Sequence, residues 1–423
     1  MQICVFEDTY FEKFEPLVYS RPAYELVCGA TTLKEKIIRS YNGIPYSLQA
    51  RDYLENFIKS KFPNTPVNQI DDNDCLFLNG RILADENLAK KIPIQDKTNK
   101  VYMNGNAIVA ARVSGKKLDL IKQNLKNVFS QTLFDDLQIE STDVQLMNYV
   151  WDLINNNHDH LTKDIAYLKN ILLQTVANPI SGTIYPGVHF IEENNITIAP
   201  TAVVKPGVVL DASLGPIFID DNAVIFPNAV IEGPVYVGKG SQVKTFARLY
   251  DGVTVGKICK VGGEIEKSII HSYSNKQHAG FLGHSYIGSW VNIGADTNCS
   301  DLKNNYGTVK VYVNGEQLET GCQFLGLMMA DHSKAAINTM FNTGTVVGFS
   351  CNIFGAGFPP KYIPSFSWGG NDGVTTYDIE RGIETAQRVL RRRSKNMSEG
   401  EIEQFRKVFE ITQKERRKRG YPY

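Results

Sequence analysis

The sequence predicts an α/β domain over residues 1–175, a left-handed parallel β-helix of hexapeptide repeats over 180–372, and a helical tail over 377–423. Three observations carry this. Between Ile219 and Val261 an aliphatic residue recurs every six positions: Ile219, Ile225, Ile231, Val237, Val243, Leu249, Val255, Val261. Four residues after each stands a small or branched one: Ala223, Ala229, Val235, Ser241, Ala247, Val253, Cys259, Ile265. That period fits neither a helix nor an alternating strand; it is one short strand plus a turn per unit, three units to a coil. Second, short apolar runs alternate with helix signals before residue 175. Third, helix patterns vanish near 180 and return only at 377.

In the first domain, Ile3–Phe6 reads as a buried strand. Thr32 and Glu35 form a capping box, and the helix they open should end near Gly43. Cys75–Leu78 is a second strand, stopped by Asn79-Gly80. Val101–Met103 and Ile108–Ala110 flank Asn104-Gly105-Asn106, a hairpin signal. Leu153, Ile154, Leu161, Ile165, Leu168, Ile171 and Leu172 stand at helical spacing. In the repeat region an earlier run (Ile198, Val204, Leu210) is out of phase with the main one, which requires an insertion around Ser213–Pro216. The phase slips after Val261, returns at Ile287 and Ile293, is lost over 300–320 and resumes at Phe341, Val347 and Ile353. Insertions between coils project as loops, and loops of that kind often carry function. The tail reads as two helices, the second opened by a box at Ser398 and Glu401; residues 379–419 hold 13 Lys/Arg against 7 Asp/Glu, the pattern of a solvated helical cap over the last coil.

Among 423 residues, 43% are hydrophobic and 21% charged, as in ordinary globular chains. Lys plus Arg equals Asp plus Glu, 45 each, so bulk charge points to no nucleic acid. The seven cysteines form no CxxC pair and no even framework, which indicates reduced, packed thiols. No run reaches the ~18 apolar residues of a membrane helix. The first residues, MQICVFEDTY, have no basic leader, so a cytoplasmic protein is expected.

A β-helix has flat faces, so its sites are expected where two copies meet side by side, and a homotrimer is the natural assembly. The segments FARLYDG (246–252), KQHAGFLGH (276–284) and WVNIGADT (290–297) closely resemble, in composition and spacing, FARLRPG, KAGHLTYLGD and NVNIGAGT of the bifunctional family of UDP-N-acetylglucosamine synthesis, a glucosamine-1-phosphate acetyltransferase joined to a uridylyltransferase. The resemblance implies that His278 is the general base, Arg248 a ligand of the sugar phosphate, Lys267 and Asn292 acceptor ligands, and Ala295 part of the acetyl-CoA site. The chemistry agrees. An ammonium cannot attack a thioester until it loses a proton, which an imidazole can take at neutral pH. An arginine fork suits a phosphate, and a backbone amide in a glycine-rich turn stabilises the oxyanion. His271, His284 and His332 are rivals for the base; Asp331-His332-Ser333 resembles a packing turn of hexapeptide proteins. Departures from the family pattern (Tyr250-Asp251 for Arg-Pro, Phe281 for Tyr, Asp301 for Asn, Glu264-Ile265-Glu266-Lys267 for a lysine-rich strand) bear on the sugar more than on the reaction.

The first domain lacks the glycine loop of sugar nucleotidyltransferases. Its Pro16-Leu17-Val18-Tyr19-Ser20-Arg21-Pro22, Cys28-Gly29 and TTLKEKI (31–37) resemble instead a divergent nucleotidyltransferase family fused to the same β-helix, a resemblance that extends to Asn79-Gly80-Arg81 and to Tyr149–Leu153. It implies a Rossmann-like nucleotidyltransferase fold, Arg21 and Lys36 as phosphate-binding cations with Asn79 and Arg81 at the nucleotide, and Mg²⁺ held by Asp8 or Asp152 in place of the family's metal-binding aspartate. The implied activity is nucleotidyl transfer from UTP or dTTP to a sugar 1-phosphate, with acetylation of an amino sugar by acetyl-CoA in the β-helix. Two alternatives stay open: a nucleotidyltransferase whose β-helix only assembles or regulates it, and a monofunctional acyltransferase whose first domain is a relic.

Overall fold

The computed structural model describes residues 1–421 and resolves into two units. The first comprises residues 1–26, 31–149 and 395–407; the second, 27–30, 150–394 and 408 onward.

The first unit is built on a six-stranded sheet in the order Tyr46–Leu48, Gln2–Phe6, Asp74–Asn79, Ala107–Ser114, Lys100–Asn104, Gln138–Ser141. The first three strands are parallel, with Gln2–Phe6 between the other two. Both faces of these strands are covered, which is why they read as unbroken apolar runs. Ile3, Val5, Leu76 and Leu78 feed one core cluster. Cys4, Phe6, Cys75 and Phe77 feed the other, where Phe6 stacks on Phe129 at 5.0 Å. The expected hairpin forms, with Asn104 opposite Ala107 across Gly105-Asn106. The helix Leu33–Ser40 starts on the expected box: the Glu35 amide donates to Thr32 Oγ1 at 3.2 Å and the Thr32 amide to Glu35 Oε2 at 2.7 Å.

The second unit is a parallel solenoid with three sheets, one strand per coil in each. The hexad pattern is its inner ladder. Ile219 stands opposite Val237 and Val237 opposite Val255; Ile225 opposite Val243 and Val243 opposite Val261; Ile231 opposite Leu249. All are buried in one cluster. The earlier run joins it through Ile198 opposite Ile219 and Leu210 opposite Ile231, three extra residues being absorbed between Leu210 and Ile219. After Val261 the coil shortens, so Ile265 takes the aliphatic rung opposite Leu249. Buried serines tie coil to coil. Ser241 Oγ donates to the Gly256 carbonyl at 2.6 Å and accepts from the Cys259 amide at 2.8 Å, and Ser274 and Ser333 repeat the arrangement. The insertion over 300–325 carries an antiparallel hairpin, Lys310–Val313 with Glu316–Glu319, turned at Asn314-Gly315, both at positive φ as a twisted two-residue hairpin turn requires.

The helix Asn157–Leu172, expected in the first domain, groups with the solenoid because Leu161 and Ile165 pack on Phe218 and Tyr236. Its Asn157 donates to the Gly252 carbonyl at 2.9 Å and accepts from the Gly29 amide at 2.7 Å. The tail forms the helices Ile379–Arg391, Glu399–Ile411 and Gln413–Lys418. It is not simply a solvated cap. In the first unit Gln404 donates to the Ser20 carbonyl at 2.7 Å. In the second, the buried guanidinium of Arg416 donates to the carbonyls of Ser365 and Phe409, at 2.9 and 2.8 Å. Among the described residues no helix is long and apolar enough to cross a membrane.

Candidate functional site

Ligands of open α/β sheets bind beyond the carboxyl ends of the parallel strands. In the first unit that edge carries Glu7 and Asp8 after Gln2–Phe6, Gln49 and Arg51 after Tyr46–Leu48, and Asn79 and Arg81 ending Asp74–Asn79. The structure brings Asp8, Asn79 and Arg81 together, but as a closed network. Arg81, 1% exposed, donates from Nε to Asp8 Oδ1 at 2.8 Å and from Nη2 to Asp8 Oδ2 at 2.6 Å. Its Nη1 donates to the Met147 carbonyl at 2.7 Å, and Asn79 Nδ2 donates to Asp8 Oδ2 at 2.9 Å. A second buried pair lies beside it, Arg51 Nε on Glu7 Oε2 at 3.0 Å. Arg51 Nη2 also donates to the carbonyls of Val18 and Arg21, at 2.6 and 2.8 Å, so this arginine shapes the 18–21 loop. Burial pushes the Glu7 carboxyl up, and Arg51 opposes the shift.

These contacts correct several expectations. Asp8 does not fit a metal ligand, because both its oxygens are held by the Arg81 fork and Asn79. Asn79 and Arg81 are buried partners of that carboxylate and not an open nucleotide surface. Lys36 is fully buried and Arg21 nearly so, which places both side chains in the fold's interior. Asp152 lies in the second unit, on the helix Val150–Asn155. Among the described residues no group of three or more His, Cys, Asp or Glu side chains is placed to hold a metal ion. The two carboxylates that follow the first strand are thus both taken by arginines, Glu7 by Arg51 and Asp8 by Arg81.

A cation that sequence reasoning passed over lies at the same edge. Lys13, half-buried, rests on the faces of Tyr10, 4.5 Å from Nζ to the ring centre, and Tyr149, 5.1 Å. The network reaches Tyr10 too, since the Arg81 guanidinium stands 4.9 Å from its ring. Only the position of Lys13, in the short 3-10 helix Thr9–Phe14 that follows the first strand, could have marked it.

In the solenoid, register places the predicted residues on two adjacent faces and the corner between them. One face stacks Val230, Arg248, Glu264 and Phe281. Arg248 is exposed and paired with Glu264 at 2.8 Å. The next face stacks Gln242, Lys260, Asn275, Asn292 and Lys334. The corner carries His278, exposed in the 277–280 bend, and Ala295 one coil on, whose neighbour Asp296 donates its amide to the Ala279 carbonyl at 3.1 Å. Lys267 is not beside them. It stands past the far end of the strand Glu264–Glu266, 4.0 Å from Asp251.

The rival histidines have partners that explain them structurally. His271 is buried with Nε2 on the Tyr286 hydroxyl at 2.8 Å. His284 has Nδ1 on Asp301 Oδ2 at 2.7 Å and stacks on Phe324, at the root of the inserted loop. His332 stacks beyond Trp290, itself 4.2 Å from Tyr273, in an aromatic column. Two further features escaped sequence reasoning. Arg393 reaches the second face and donates to Asn275 Oδ1 at 3.0 Å. Burial, then Arg393, Lys244 and Arg392, push the Lys260 ammonium down, the mark of cations crowded on one strip. The basic run 391–393 was the available signal. The other feature is Lys276, an ammonium inside the solenoid core.

Residues 3–171 match the family model described as sugar nucleotidyl transferase. Among curated proteins, the chain is similar to the bifunctional protein GlmU of Marinobacter nauticus, 36% identical over 25% of this chain and 21% of that one. It is similar to that of Methanococcus vannielii, 28% identical over 50% and 44%, and to that of Trichormus variabilis, 22% identical over 55% and 60%. The chain thus spans less than two thirds of each of these relatives. Among solved structures, a UDP-N-acetylglucosamine acyltransferase of Francisella novicida is 14% identical with a TM-score of 0.32, over 56% of this chain and 87% of that one. A hexapeptide transferase family protein of Anaplasma phagocytophilum is 15% identical with a TM-score of 0.23, over 55% and 96%. The stretch that matches the sugar nucleotidyl transferase model is followed in the chain by the parallel solenoid.

Because Arg81 neutralises a buried carboxylate, Arg81→Ala should destabilise the first unit by about 3–5 kcal/mol. Chemical denaturation followed by a probe in that unit measures it; an unchanged midpoint would mean that Asp8 finds water or another donor.

Proposed function

We propose that the protein is a bifunctional transferase of sugar-nucleotide synthesis. Its solenoid acetylates an amino sugar, glucosamine 1-phosphate above all, from acetyl-CoA. Its first unit transfers a nucleotidyl group from UTP or dTTP to a sugar 1-phosphate. The observation that carries the first activity is the exposed His278 at a corner between a face bearing Arg248 and a face bearing Asn292. His278 takes a proton from the acceptor ammonium, the freed amine attacks the thioester carbonyl, and the C–S bond breaks as the nitrogen gives up a second proton and the departing sulfur of CoA takes one up to leave as the thiol. The amide of Ala295 is the candidate donor to the oxyanion, since those of Gly294 and Asp296 are taken by the Ala335 and Ala279 carbonyls. Arg248 holds the sugar phosphate once it exchanges Glu264 for it. The strip of Lys244, Lys260, Arg392 and Arg393 supports a co-substrate rich in phosphate, as CoA is. The setting is cytoplasmic, where cells keep nucleoside triphosphates and acetyl-CoA.

One observation favours a second reading for the first unit, a domain that binds without transferring. Arg21, Lys36 and Arg81 are buried and Asp8 is spent on Arg81, so the charges that would neutralise a triphosphate are turned inward. If transfer occurs, Lys13 is the cation at the edge that meets the phosphates.

A homotrimer is part of this reading. Phe246 and Ile337, 70% and 68% exposed, and Phe354 and Phe358 stand along the solenoid near the His278 corner. Covering such an apolar line with a second copy would also wall the site. Light scattering at micromolar concentration should give three chains per particle; a monomer would remove the intersubunit cleft and leave the His278 corner open to water.

With acetyl-CoA and glucosamine 1-phosphate as substrates, His278→Ala should lower kcat by roughly 10² to 10⁴-fold, the usual share of a general base, with little change in KM for acetyl-CoA. Wild-type turnover in that variant would pass the role to His284.

For the first unit, pyrophosphate release from UTP and a sugar 1-phosphate should fall about tenfold or more in Lys13→Ala, the worth of one hydrogen bond to a charged group. Acetyl transfer should persist. No pyrophosphate release by the wild type with common triphosphates and sugar phosphates would establish the second reading.

A further inference from the structure

The inner ladder of the second face runs through Ile225, Val243 and Val261, and higher up through Ile293 and Ala335. Between them, opposite Val261, stands Lys276, 2% exposed. An ammonium thus occupies a rung that is apolar in the neighbouring coils. Its Nζ donates to three main-chain carbonyls: Gly262 at 3.1 Å, His278 at 3.0 Å and Ala279 at 3.3 Å. The chain closes over it at Gly263, φ +74°, where an added Cβ would lie 2.9 Å from Nζ and 2.8 Å from the His278 carbonyl oxygen. The Gly280 carbonyl oxygen would lie closer still, at 2.6 Å, so the glycine is required by the main chain of the next coil as well as by the ammonium.

A methionine would fill the rung without taking a charge out of water. An ammonium held by neutral carbonyls alone is costly. Nothing in the solenoid's stacking needs it, because the next rungs do without it. What the lysine adds is a hold on the His278 carbonyl, joined to a hold on that of Ala279, which the Asp296 amide also takes.

We propose that Lys276 is a positioning residue for the acetyl transfer assigned above: its buried ammonium draws the His278 and Ala279 carbonyls inward and so fixes the 277–280 turn with the imidazole outward. The proposal rests on that assignment of the solenoid site. Burial holds Lys276 down at about 8, with the Asp296 carboxylate opposing the shift. The charged and titratable groups around it are Asp296 from the following coil, His278 in its own turn and Lys260 on the neighbouring strand; the rungs above and below are apolar. As pH rises through about 8 the folded protein loses this proton while an unfolded lysine keeps it to 10.5. The cost of the buried charge is lifted, so stability from this group rises over that window, while the grip on the turn weakens. Activity and stability should diverge above pH 8, a signature that a purely structural lysine would not produce.

The test compares wild type, Lys276→Met and Lys276→Gln in acetyl transfer from acetyl-CoA to glucosamine 1-phosphate between about pH 6.5 and 9.5, a window that brackets the lysine's titration. Melting temperature and hydrogen exchange of the peptide spanning 277–280 are followed alongside. Lys276→Met should lose up to about 10²-fold in kcat, as expected for a displaced catalytic group. Its KM for acetyl-CoA should change less than about twofold, since the chemical step alone loses its alignment. Its melting temperature should match or exceed wild type, and exchange in 277–280 should quicken. Lys276→Gln, which keeps an N–H donor without the charge, should recover part of kcat. Neither variant should show the wild-type decline above pH 8. Wild-type kcat with an unchanged pH profile in Lys276→Met overturns the proposal, as does a kcat loss matched by a fall in melting temperature. If Lys276→Met does not fold, Lys276→Gln and the wild-type profile decide alone: a wild-type kcat that stays flat across the upper half of that pH window overturns it. If the wild type transfers no acetyl group, the assignment of the reaction fails separately. Exchange then decides whether Lys276 holds the turn: quickened exchange in the variants supports it and unchanged exchange overturns it.

Discussion

Stacking of identical rungs is the constraint on which the second unit depends. Each coil must place an aliphatic side chain under the one above it, strand spacing being about 4.8 Å. Any change in coil length must therefore be absorbed at a corner or expelled. The chain does both. It shortens at Gly262-Gly263, where two glycines take the tight bend, and expels residues 300–325 as a loop with its own hairpin. The first irregularity falls beside the candidate site, and the second at the far end of the face that carries Arg248. The shortened coil leads into the His278 bend, and the expelled loop is rooted at Asp301 and Phe324, which clasp His284. The site exists where the repeat is broken, because a perfect repeat offers only flat faces.

The first unit follows a different economy. Its carboxylates and guanidiniums at the strand ends are paired inside the protein. Glu25 is an example away from the edge: burial alone would raise its carboxyl, yet Lys61 and Lys34 hold it at about 2. Such pairs fix loop positions, as Arg51 does for 18–21, but leave little charge for a ligand. A domain that matches a nucleotidyl transferase family while spending its charges internally must bind phosphate, if it does, with fewer side chains and more main chain.

The tail unites two roles that its composition hid. Its arginines read as a solvated face, yet Arg416 is buried against Ser365 and Arg393 joins the strip beside Asn275. Basic side chains can do this because their stems are apolar and their heads satisfy carbonyls. Composition counts charge without saying where each head ends.

The hexad period, the phase slips, the capping boxes and the 104–106 hairpin were legible in the sequence, because each is a local pattern whose physics acts within a few residues. The rungs from Ile219 to Val261 could be written down from spacing alone, and with them a solenoid that follows an α/β domain in the chain. The placement of Asp8 under Arg81, the inward turn of Lys36, the distance of Lys267 from the His278 corner and the grip of Lys276 on the His278 turn were not legible. Each joins residues from different strands or coils, or depends on which way a side chain turns, and a linear pattern carries neither. Which charges were spent on the fold and which were left to a ligand was settled in three dimensions, because burial and pairing are set by the neighbours that packing supplies.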